Sequence, residues 1–192
     1  MFAVIVNPVS GGGEAVRLAI RISERIAAMG QESRLFETSG DGDAARQTRA
    51  AVEAGCEAVV CIGGDVTICE AAGELCHRDV TFYVVPGGTG NDFARAFHLP
   101  KDPMAAFESQ LAGEPIQIDC GRMNGKSFLN VSGSGFDVAV LEKTEELKAV
   151  YPGEKVYRKA VLSVLGRYKA FEAELSIDGG EIQLTDAMAE YA

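Results

Sequence analysis

Three glycine-rich loops, each placed directly after a short apolar run, constrain the fold of this 192-residue chain more than any other feature. The apolar runs and the loops that follow them span residues 2–6 and 7–13, 58–62 and 63–67, and 82–85 and 86–92. In an open α/β sheet, ligands bind beyond the carboxyl ends of the strands, where such loops gather. Glycine lets backbone N–H groups come close to a phosphate, and the following helix adds the positive end of its dipole. Three such loops in one small domain therefore predict a site for a nucleotide phosphate.

The first 115 residues alternate strand and helix patterns. Strands are predicted at residues 2–6, 33–37, 58–62 and 81–85. The apolar periodicity and capping residues predict helices that end at Gly30 and Gly55, then helices over residues 67–76, 91–97 and 103–113. Strands that alternate with helices through short connections imply a mostly parallel sheet with helices on both faces. We therefore expect residues 1–115 to form an α/β domain with all three glycine loops on one edge of its sheet.

After residue 115 the pattern changes to hairpins. Turn residues at 123–125 and 178–180 separate strand patterns, so the pairing here is expected to be antiparallel. Helices are predicted over residues 137–148 and 156–168. A core of this size is marginal, and the last strand would leave a sheet edge open. We expect residues 116–192 to be part of a second, β-rich domain inside which the chain breaks off.

The composition is that of an ordinary globular protein, with 47% apolar and 24% charged residues. Its longest apolar runs are too short to cross a membrane, and the first residues lack the features of a secretory signal. A cytoplasmic protein is therefore expected. The five cysteines include no Cys-x-x-Cys pair, which favours reduced thiols over a metal or disulfide site.

The net charge of −10 argues against a protein that holds nucleic acid, because phosphate contacts need clustered Lys and Arg. The acidic excess lies mainly in residues 1–120, whereas residues 121–192 are nearly balanced. Peripheral contact with an anionic membrane surface is therefore expected in the second segment rather than the first. The sequence does not determine the oligomeric state.

Five ordered motifs carry a resemblance to a known family. They are Asn7-Pro8-x-Ser10-Gly11, Gly63-Gly64-Asp65-x-Thr67, the run from Pro86 to Ala94, Ile118-Asp119-x-Gly121 and Gly135-Phe136-Asp137. In this order and spacing they resemble the diacylglycerol kinase catalytic-domain family, most closely its bacterial soluble lipid kinases, with sphingosine, ceramide and NAD kinases as more distant relatives. The resemblance implies an α/β domain like that of NAD kinases and phosphofructokinases, followed by the start of a β-sandwich. It also implies transfer of the ATP γ-phosphoryl group to the hydroxyl of a diacylglycerol-like lipid, with Mg²⁺.

The resemblance assigns a nucleotide-binding role to ten positions. They are Asn7, Ser10, Gly11, Thr38, Gly64, Asp65, Val66, Thr67, Glu70 and Thr89. The residue types suit this role, because phosphoryl transfer depends on positioning and charge stabilisation. Backbone amides of the glycine loops and the two hydroxyls of Thr67 and Thr89 can donate to phosphate oxygens.

Four aspartates receive other roles from the resemblance. Asp65 is the expected catalytic residue, either through Mg²⁺ or by accepting the proton of the substrate hydroxyl. Asp92 and Asp119 are the expected Mg²⁺ ligands, since a hard cation takes oxygen ligands. Asp137 occupies the position of a lipid-headgroup aspartate. Each also has a structural alternative: Asp65 or Asp92 could only cap the following helix, and Asp119 could be a turn residue.

Two departures from the family pattern leave the activity of this chain open. Val66 stands where the family usually has glycine, and a β-branched residue in a turn of positive φ would store strain or crowd a phosphate. The second departure concerns the C-terminus: in bacterial relatives a catalytic acidic residue lies in a later part of the β-sandwich, which this chain is expected to lack. A non-catalytic nucleotide-binding remnant and an NAD kinase-like enzyme therefore remain as alternatives. The absence of their glycine motifs argues against a dinucleotide-binding dehydrogenase and a P-loop nucleotidase.

Overall fold

The computed structural model describes residues 1–148, 155–187 and 189–191 of the chain. These residues form two compact units, Met1–Asn130 and Val131–Ala192. Within the described residues, no helix combines the length and the apolar character that crossing a bilayer requires.

The first unit is built on a four-stranded parallel sheet. Its strands are β1 (Phe2–Val6), β2 (Ser33–Glu37), β3 (Ala58–Gly63) and β4 (Thr81–Pro86), in the order β2-β1-β3-β4. Every residue of β3 is buried, as expected for an inner strand covered on both faces. The register aligns Val6 with Ile62, and Ile62 with Val85, so β1, β3 and β4 end side by side.

Helices cover both faces of this sheet. They are α1 (Ala15–Ala28), α2 (Asp43–Glu53), α3 (Asp65–Leu75), α4 (Asp92–Ala96) and α5 (Pro103–Leu111). Val4 and Val6 pack with buried residues of α1 and α5 on one face, whereas Ala3 and Ile5 pack with residues of α2 on the other. The alternation along β1 therefore builds two apolar layers from one strand. The predicted parallel α/β domain is confirmed.

A short antiparallel hairpin completes the first unit. Its strands are β5 (Gly121–Met123) and β6 (Lys126–Phe128), and β6 packs against α3. A Cβ atom on Gly73 would lie 2.6 Å from the Ser127 hydroxyl, so the strand approaches the helix closely. The sequence predicts strands over residues 116–122 and 126–131, which is too long. Residues 114–120 adopt no regular structure, and Ile116 is 71% exposed there. The domain boundary expected after residue 115 stays a prediction.

The second unit contains two helices and two small antiparallel sheets among the residues that the structure describes. Its elements are β7 (Gly133–Gly135), α6 (Phe136–Lys148), α7 (Lys155–Leu165), β8 (Phe171–Ile177), β9 (Gly180–Ala187) and β10 (Ala189–Tyr191). The hairpin of β8 and β9 and both helices were predicted from the sequence. Strands β7 and β10, which pair with each other, were missed because three residues carry no detectable alternation.

Candidate functional site

The three glycine loops meet at the carboxyl ends of β1, β3 and β4. The Gly11 N–H donates to the Gly87 carbonyl over 2.8 Å, and the Gly87 N–H donates to the Gly63 carbonyl over 2.8 Å. The loop after β4 is therefore bonded to both of the other loops. The expectation that the loops share one edge of the sheet is confirmed.

The second and third loops touch through their backbones. A Cβ atom on Gly88 would lie 2.6 Å from the Gly64 α-carbon, which no real Cβ contact tolerates. A Cβ on Gly87 would lie 3.3 Å from both the Gly63 nitrogen and the Ser10 Cβ. Glycine is thus needed at Gly88 to bring two strand ends within contact distance.

The first loop uses glycine for a different reason. Residues 10–13 form a single tight turn, and Gly11, Gly12 and Gly13 all have positive φ, between 59° and 93°. A Cβ atom built on any of the three would have no neighbour within 4 Å, so this turn is open. Left-handed backbone in a glycine run can turn successive amides toward an anion.

A cavity of about 500 Å³ lies between the loops. Its wall contains Asn7, Val9, Ser10, Gly11, Gly12, Gly64, Asp65, Val66, Thr67, Gly87, Gly88 and Thr89. Eight of the ten predicted nucleotide-binding residues are in this wall, whereas Thr38 and Glu70 are not. Most of the residues predicted from the sequence motifs therefore line one cavity, whereas Thr38 and Glu70 lie outside its wall.

Asn7 and Thr67 connect the first loop to α3. The Asn7 Oδ1 accepts from the Val9 N–H over 3.2 Å, and the Asn7 Nδ2 donates to the Thr67 Oγ1 over 3.5 Å. The Thr67 side chain is buried, with its Cβ within van der Waals reach of Gly63. Because its oxygen accepts from Asn7, the Thr67 hydroxyl keeps its proton for another acceptor.

Val66 lies in the first turn of α3 and not in a strained turn. The N-cap of α3 is Gly64, with φ −87° and ψ −178°, and Val66 is not among the non-glycine residues with positive φ. The strained-turn hypothesis was therefore wrong, because helical backbone accepts valine at small cost. The Val66 side chain is 69% exposed and forms part of the cavity wall.

Asp65 caps a helix distant in sequence. Its Oδ1 accepts from the backbone N–H groups of Asp92, at 2.7 Å, and Phe93, at 3.4 Å, which begin α4. The structural alternative considered for Asp65 was a cap on α3 itself, so the sequence missed the helix that it does cap. No local signal could have found this contact, since 27 residues separate the carboxylate from the nearer amide.

Glu70 and Thr38 lie beside α2. The two carboxylate oxygens of Glu70 accept from the N–H groups of Gly42, at 2.8 Å, and Ala44, at 3.2 Å. Thr38 is buried at the end of β2, where its N–H donates to the Val6 carbonyl over 2.9 Å. Glu70 therefore binds the N-terminus of α2, and its predicted contact with a nucleotide stays a prediction.

Asp43, the first residue of α2, is hydrogen-bonded to Ser39 of the preceding loop. Its Oδ2 accepts from the Ser39 N–H at 2.7 Å and the Ser39 hydroxyl at 2.8 Å, and its Oδ1 accepts from Arg46 at 2.7 Å. The two bonds from Ser39, followed by the Arg46 guanidinium, lower the pKa of the Asp43 carboxyl below its usual value. The loop after β2 is thus closed by a charged carboxylate.

Of the other three predicted aspartates, Asp92 and Asp119 belong to the first unit and Asp137 to the second. Asp92 is exposed and pairs with Arg95, Asp119 is exposed in an irregular segment, and Asp137 is half-buried in the first turn of α6. Among the described residues, no three Asp, Glu, His or Cys side chains are grouped as metal ligands. The predicted Mg²⁺ and lipid-headgroup roles of these residues stay predictions.

Four of the five cysteines are poor nucleophile candidates. All five are free, and burial raises the pKa of the Cys56, Cys61 and Cys69 thiols. Burial and a hydrogen bond with Cys120 raise the pKa of Cys76 to about 11. Thiols with raised pKa values hold little thiolate near neutral pH.

Comparison with known proteins agrees with the fold. Residues 1–123 match the family described as the diacylglycerol kinase catalytic domain. The chain therefore belongs to the diacylglycerol kinase catalytic-domain family. It is 34% identical over 188 residues to a diacylglycerol kinase of Mycobacterium tuberculosis (strain ATCC 25618 / H37Rv), an alignment that covers 95% of this chain and 60% of the relative. A diacylglycerol kinase of Staphylococcus carnosus (strain TM300) is 28% identical over 199 residues, covering 98% of this chain and 65% of the relative.

Solved structures give the same result. A candidate diacylglycerol kinase of Bacillus anthracis str. Sterne superposes with a TM-score of 0.72 at 25% identity, covering 99% of this chain and 64% of that chain. The chain thus spans about 60 to 65% of the length of the curated relatives and of this structural neighbour.

Proposed function

We propose that this chain is an ATP-dependent lipid kinase-like protein that transfers the γ-phosphoryl group to the hydroxyl of a diacylglycerol-like lipid. The observation that supports it most directly is the convergence of three glycine loops on one cavity, in a chain of the diacylglycerol kinase catalytic-domain family. The two curated relatives described above carry the name diacylglycerol kinase.

The cavity fits a polyphosphate. Its wall combines open glycine backbone at Gly11 and Gly12, the N-terminus of α3 at Gly64, and the hydroxyl side chains of Ser10, Thr67 and Thr89. Such groups donate hydrogen bonds without adding bulk, and the helix end favours negative charge. We assign the ATP phosphates to this cavity, with Asn7 holding the first loop and Thr67 in place.

Asp65 is proposed as the catalytic residue, with its two oxygens doing different work. Oδ1 accepts the two amides of α4 and so fixes the carboxylate at the edge of the cavity. Oδ2 would then accept the proton of the attacking lipid hydroxyl, or it would accept a hydrogen bond from a water bound to Mg²⁺.

Mg²⁺ would supply charge neutralisation at the transferring phosphoryl group. The oxygen donors available for it are the carboxylates of Asp92 and Asp119, directly or through water, since Mg²⁺ usually keeps several waters beside phosphate ligands. Asp92 is already paired with Arg95, which fits an outer-sphere role better than direct ligation. Asp137 is the proposed contact for the lipid headgroup.

A second candidate function is nucleotide binding without transfer. It is favoured by one observation: the chain spans about 60% of the length of its Mycobacterium tuberculosis relative. In that case the cavity binds ATP and no phosphoryl group is transferred to a lipid.

Nucleotide binding is tested by Thr67→Ala, with Thr81→Ala at the opposite end of β4 as the matched control. Loss of a hydrogen bond to a charged phosphate should weaken ATP binding with Mg²⁺ about tenfold, as measured by titration calorimetry. The control should bind as the wild type does. Equal affinities for all three proteins would mean that Thr67 is structural only.

Transfer is tested with labelled ATP and diacylglycerol in mixed micelles. Wild-type chain should label the lipid, and Asp65→Asn should lower the rate by about 10²–10⁴-fold. ATP binding without any labelling by the wild type would favour the non-catalytic alternative.

A further inference from the structure

Two cysteines that are far apart in the sequence meet in the first unit. Cys76 directly follows α3, and Cys120 directly precedes β5. Their thiols lie within hydrogen-bonding distance of each other, and both are free and half-buried. Two free thiols in contact can be oxidised to a disulfide, a reaction for which a single thiol lacks the partner.

The packing of the β5–β6 hairpin against α3 holds the two thiols together. Three positions at the spacing i, i+4, i+7 lie on the side of α3 that faces the hairpin: Cys69, Gly73 and Cys76. The Cys69 thiol is hydrogen-bonded to the backbone of Leu129, and a Cβ on Gly73 would lie 2.6 Å from the Ser127 hydroxyl. The contact between the two thiols is therefore the last of three contacts along one packed row, and it does not depend on a flexible surface loop.

The other bonds of these two thiols are weak. The Cys76 Sγ donates to the Ala72 carbonyl over 3.6 Å, and the Cys120 Sγ donates to the Gly121 carbonyl over 3.7 Å. Because a thiol is a weak donor, the loss of these bonds opposes oxidation only slightly. Neither cysteine lies in the wall of the cavity between the glycine loops, so the pair is separate from the proposed phosphate site.

We propose that Cys76 and Cys120 are a redox modification site, at which hydrogen peroxide converts the two thiols into a reversible disulfide that ties the β5–β6 hairpin to α3. One sulfur attacks a peroxide oxygen: the S–O bond forms, the O–O bond breaks, and the thiol proton leaves with the departing oxygen as water. The other sulfur attacks the sulfenic acid: the S–S bond forms, the S–O bond breaks, and a second water leaves. The two thiols lose two electrons in total, and the peroxide is reduced to two waters.

The disulfide would close a long loop, from residue 76 to residue 120, that contains β4, α4 and α5. A covalent link across such a loop stabilises the fold mainly by restricting the unfolded chain. The link would also anchor residues 114–120, which adopt no regular structure, to a helix of the core. Neither ATP binding nor phosphoryl transfer enters the proposal, so it does not depend on the proposed kinase activity.

The link is tested by peptide mapping of the 192-residue chain after treatment with excess hydrogen peroxide and alkylation of the remaining thiols. Cleavage after glutamate separates Cys76 from Cys69, because Glu70 and Glu74 lie between them. Wild-type protein should give one linked pair of peptides, joining Cys76 to Cys120, and dithiothreitol should remove it. Cys76→Ser and Cys120→Ser should give no link. Cys69→Ser, the matched control on the same side of α3, should give the wild-type link.

Two further measurements test whether the folded structure selects this pair. Oxidation of the chain in guanidinium should give a mixture of links, because five unfolded thiols pair with little preference. The folded and oxidised wild type should melt about 5–10 °C above the reduced protein, whereas peroxide should not raise the melting temperature of Cys76→Ser.

The proposal is overturned if the folded chain gives no link between Cys76 and Cys120, or gives the same mixture as the unfolded chain. It is also overturned if the peroxide joins two copies of the chain, or oxidises Cys120 to a sulfinic acid while Cys76 stays reduced. A linked protein that melts below the reduced protein would likewise contradict it, since the bond would then strain the packing that it is proposed to fit.

Discussion

Gly88 and Gly113 differ in what surrounds their α-carbons. A Cβ on Gly88 would meet the Gly64 backbone at 2.6 Å, whereas a Cβ on Gly113 would meet its nearest neighbour, the Ser109 carbonyl oxygen, at 3.6 Å. The first distance requires backbone movement, and the second is an ordinary contact. The two positions therefore test whether the contact between the second and third loops is needed for binding.

We expect Gly88→Ala to lower the free energy of unfolding by about 1–3 kcal/mol, because two backbones must move apart. It should also weaken ATP binding, since the same movement opens the wall of the cavity. Gly113→Ala should stay within about 0.5 kcal/mol of the wild type and bind ATP normally. Urea denaturation and calorimetry on the three proteins check this, and equal losses for both variants would contradict it.

Asp43 makes part of the stability depend on pH. Because its folded-state pKa lies below the unfolded value of about 3.9, its contribution is full above that value and is lost as the pH falls through the folded pKa. Asp43→Asn should therefore melt below the wild type at pH 7, and the difference should shrink below about pH 4. Asp41→Asn, in the same loop and exposed, is the control. A difference in melting temperature that is independent of pH would refute the charge-based explanation.

At the scale of elements, two helices of the first unit are capped by carboxylates from another part of the chain. Asp65 of α3 caps α4, and Glu70 of the same helix caps α2. Helix α3 therefore fixes the N-termini of two neighbours that are not bonded to it through the backbone. Unsatisfied N–H groups at a helix start are stabilised by such acceptors and by negative charge.

We expect Glu70→Ala to cost about 1–2 kcal/mol of unfolding free energy, because the amides of Gly42 and Ala44 lose their acceptor. Glu53→Ala, at the exposed end of α2, removes the same charge without removing a cap and should have little effect. Chemical denaturation measures both. If the two variants lose the same stability, the cap contributes nothing measurable.

The sequence predicted those parts of the structure that depend on local pattern. Strands β1 and β2 match the predicted residues, and Asp102 caps α5 as expected, accepting from the Ala105 N–H at 2.8 Å. The contacts of Asp65 and Glu70 could not be predicted, because each joins groups 26 to 28 residues apart. The backbone conformation of Val66 was predicted wrongly for a related reason. Packing decides whether a turn or a helix follows Gly64, and the residue types alone do not.

At the scale of the whole molecule, most of the apolar core lies in the unit Met1–Asn130. The three main clusters of buried apolar residues belong to it, and Leu129 packs against the one around Ile68 and Phe93. The hairpin of β5 and β6 therefore contributes to the first unit, although the expected domain boundary would separate it.

A pair of fragments tests this assignment. Residues 1–130 should fold cooperatively and bind ATP, whereas residues 1–115 should be less stable by about 2 kcal/mol or more, because α3 loses the cover of β6 and Leu129. Thermal unfolding followed by circular dichroism compares them. If 1–115 is as stable as 1–130, the domain ends where the sequence analysis placed it.

The strand order gives the walls of the cavity different stiffness. Strands β1 and β3 each pair with two neighbours, whereas β4 pairs only with β3 among the described residues of its sheet. A strand that is hydrogen-bonded to one neighbouring strand moves more readily than a strand bonded to two. The loops after β1 and β3 thus form the stiffer walls of the cavity, and residues 87–91 form the more compliant wall. This wall is bonded through Gly87 to Gly11 and Gly63, and the Asp92 N–H that follows it donates to Asp65. Any widening that admits a ligand is concentrated at residues 87–91, so the hydrogen bonds of Gly87 and of Asp65 limit how far the cavity can open.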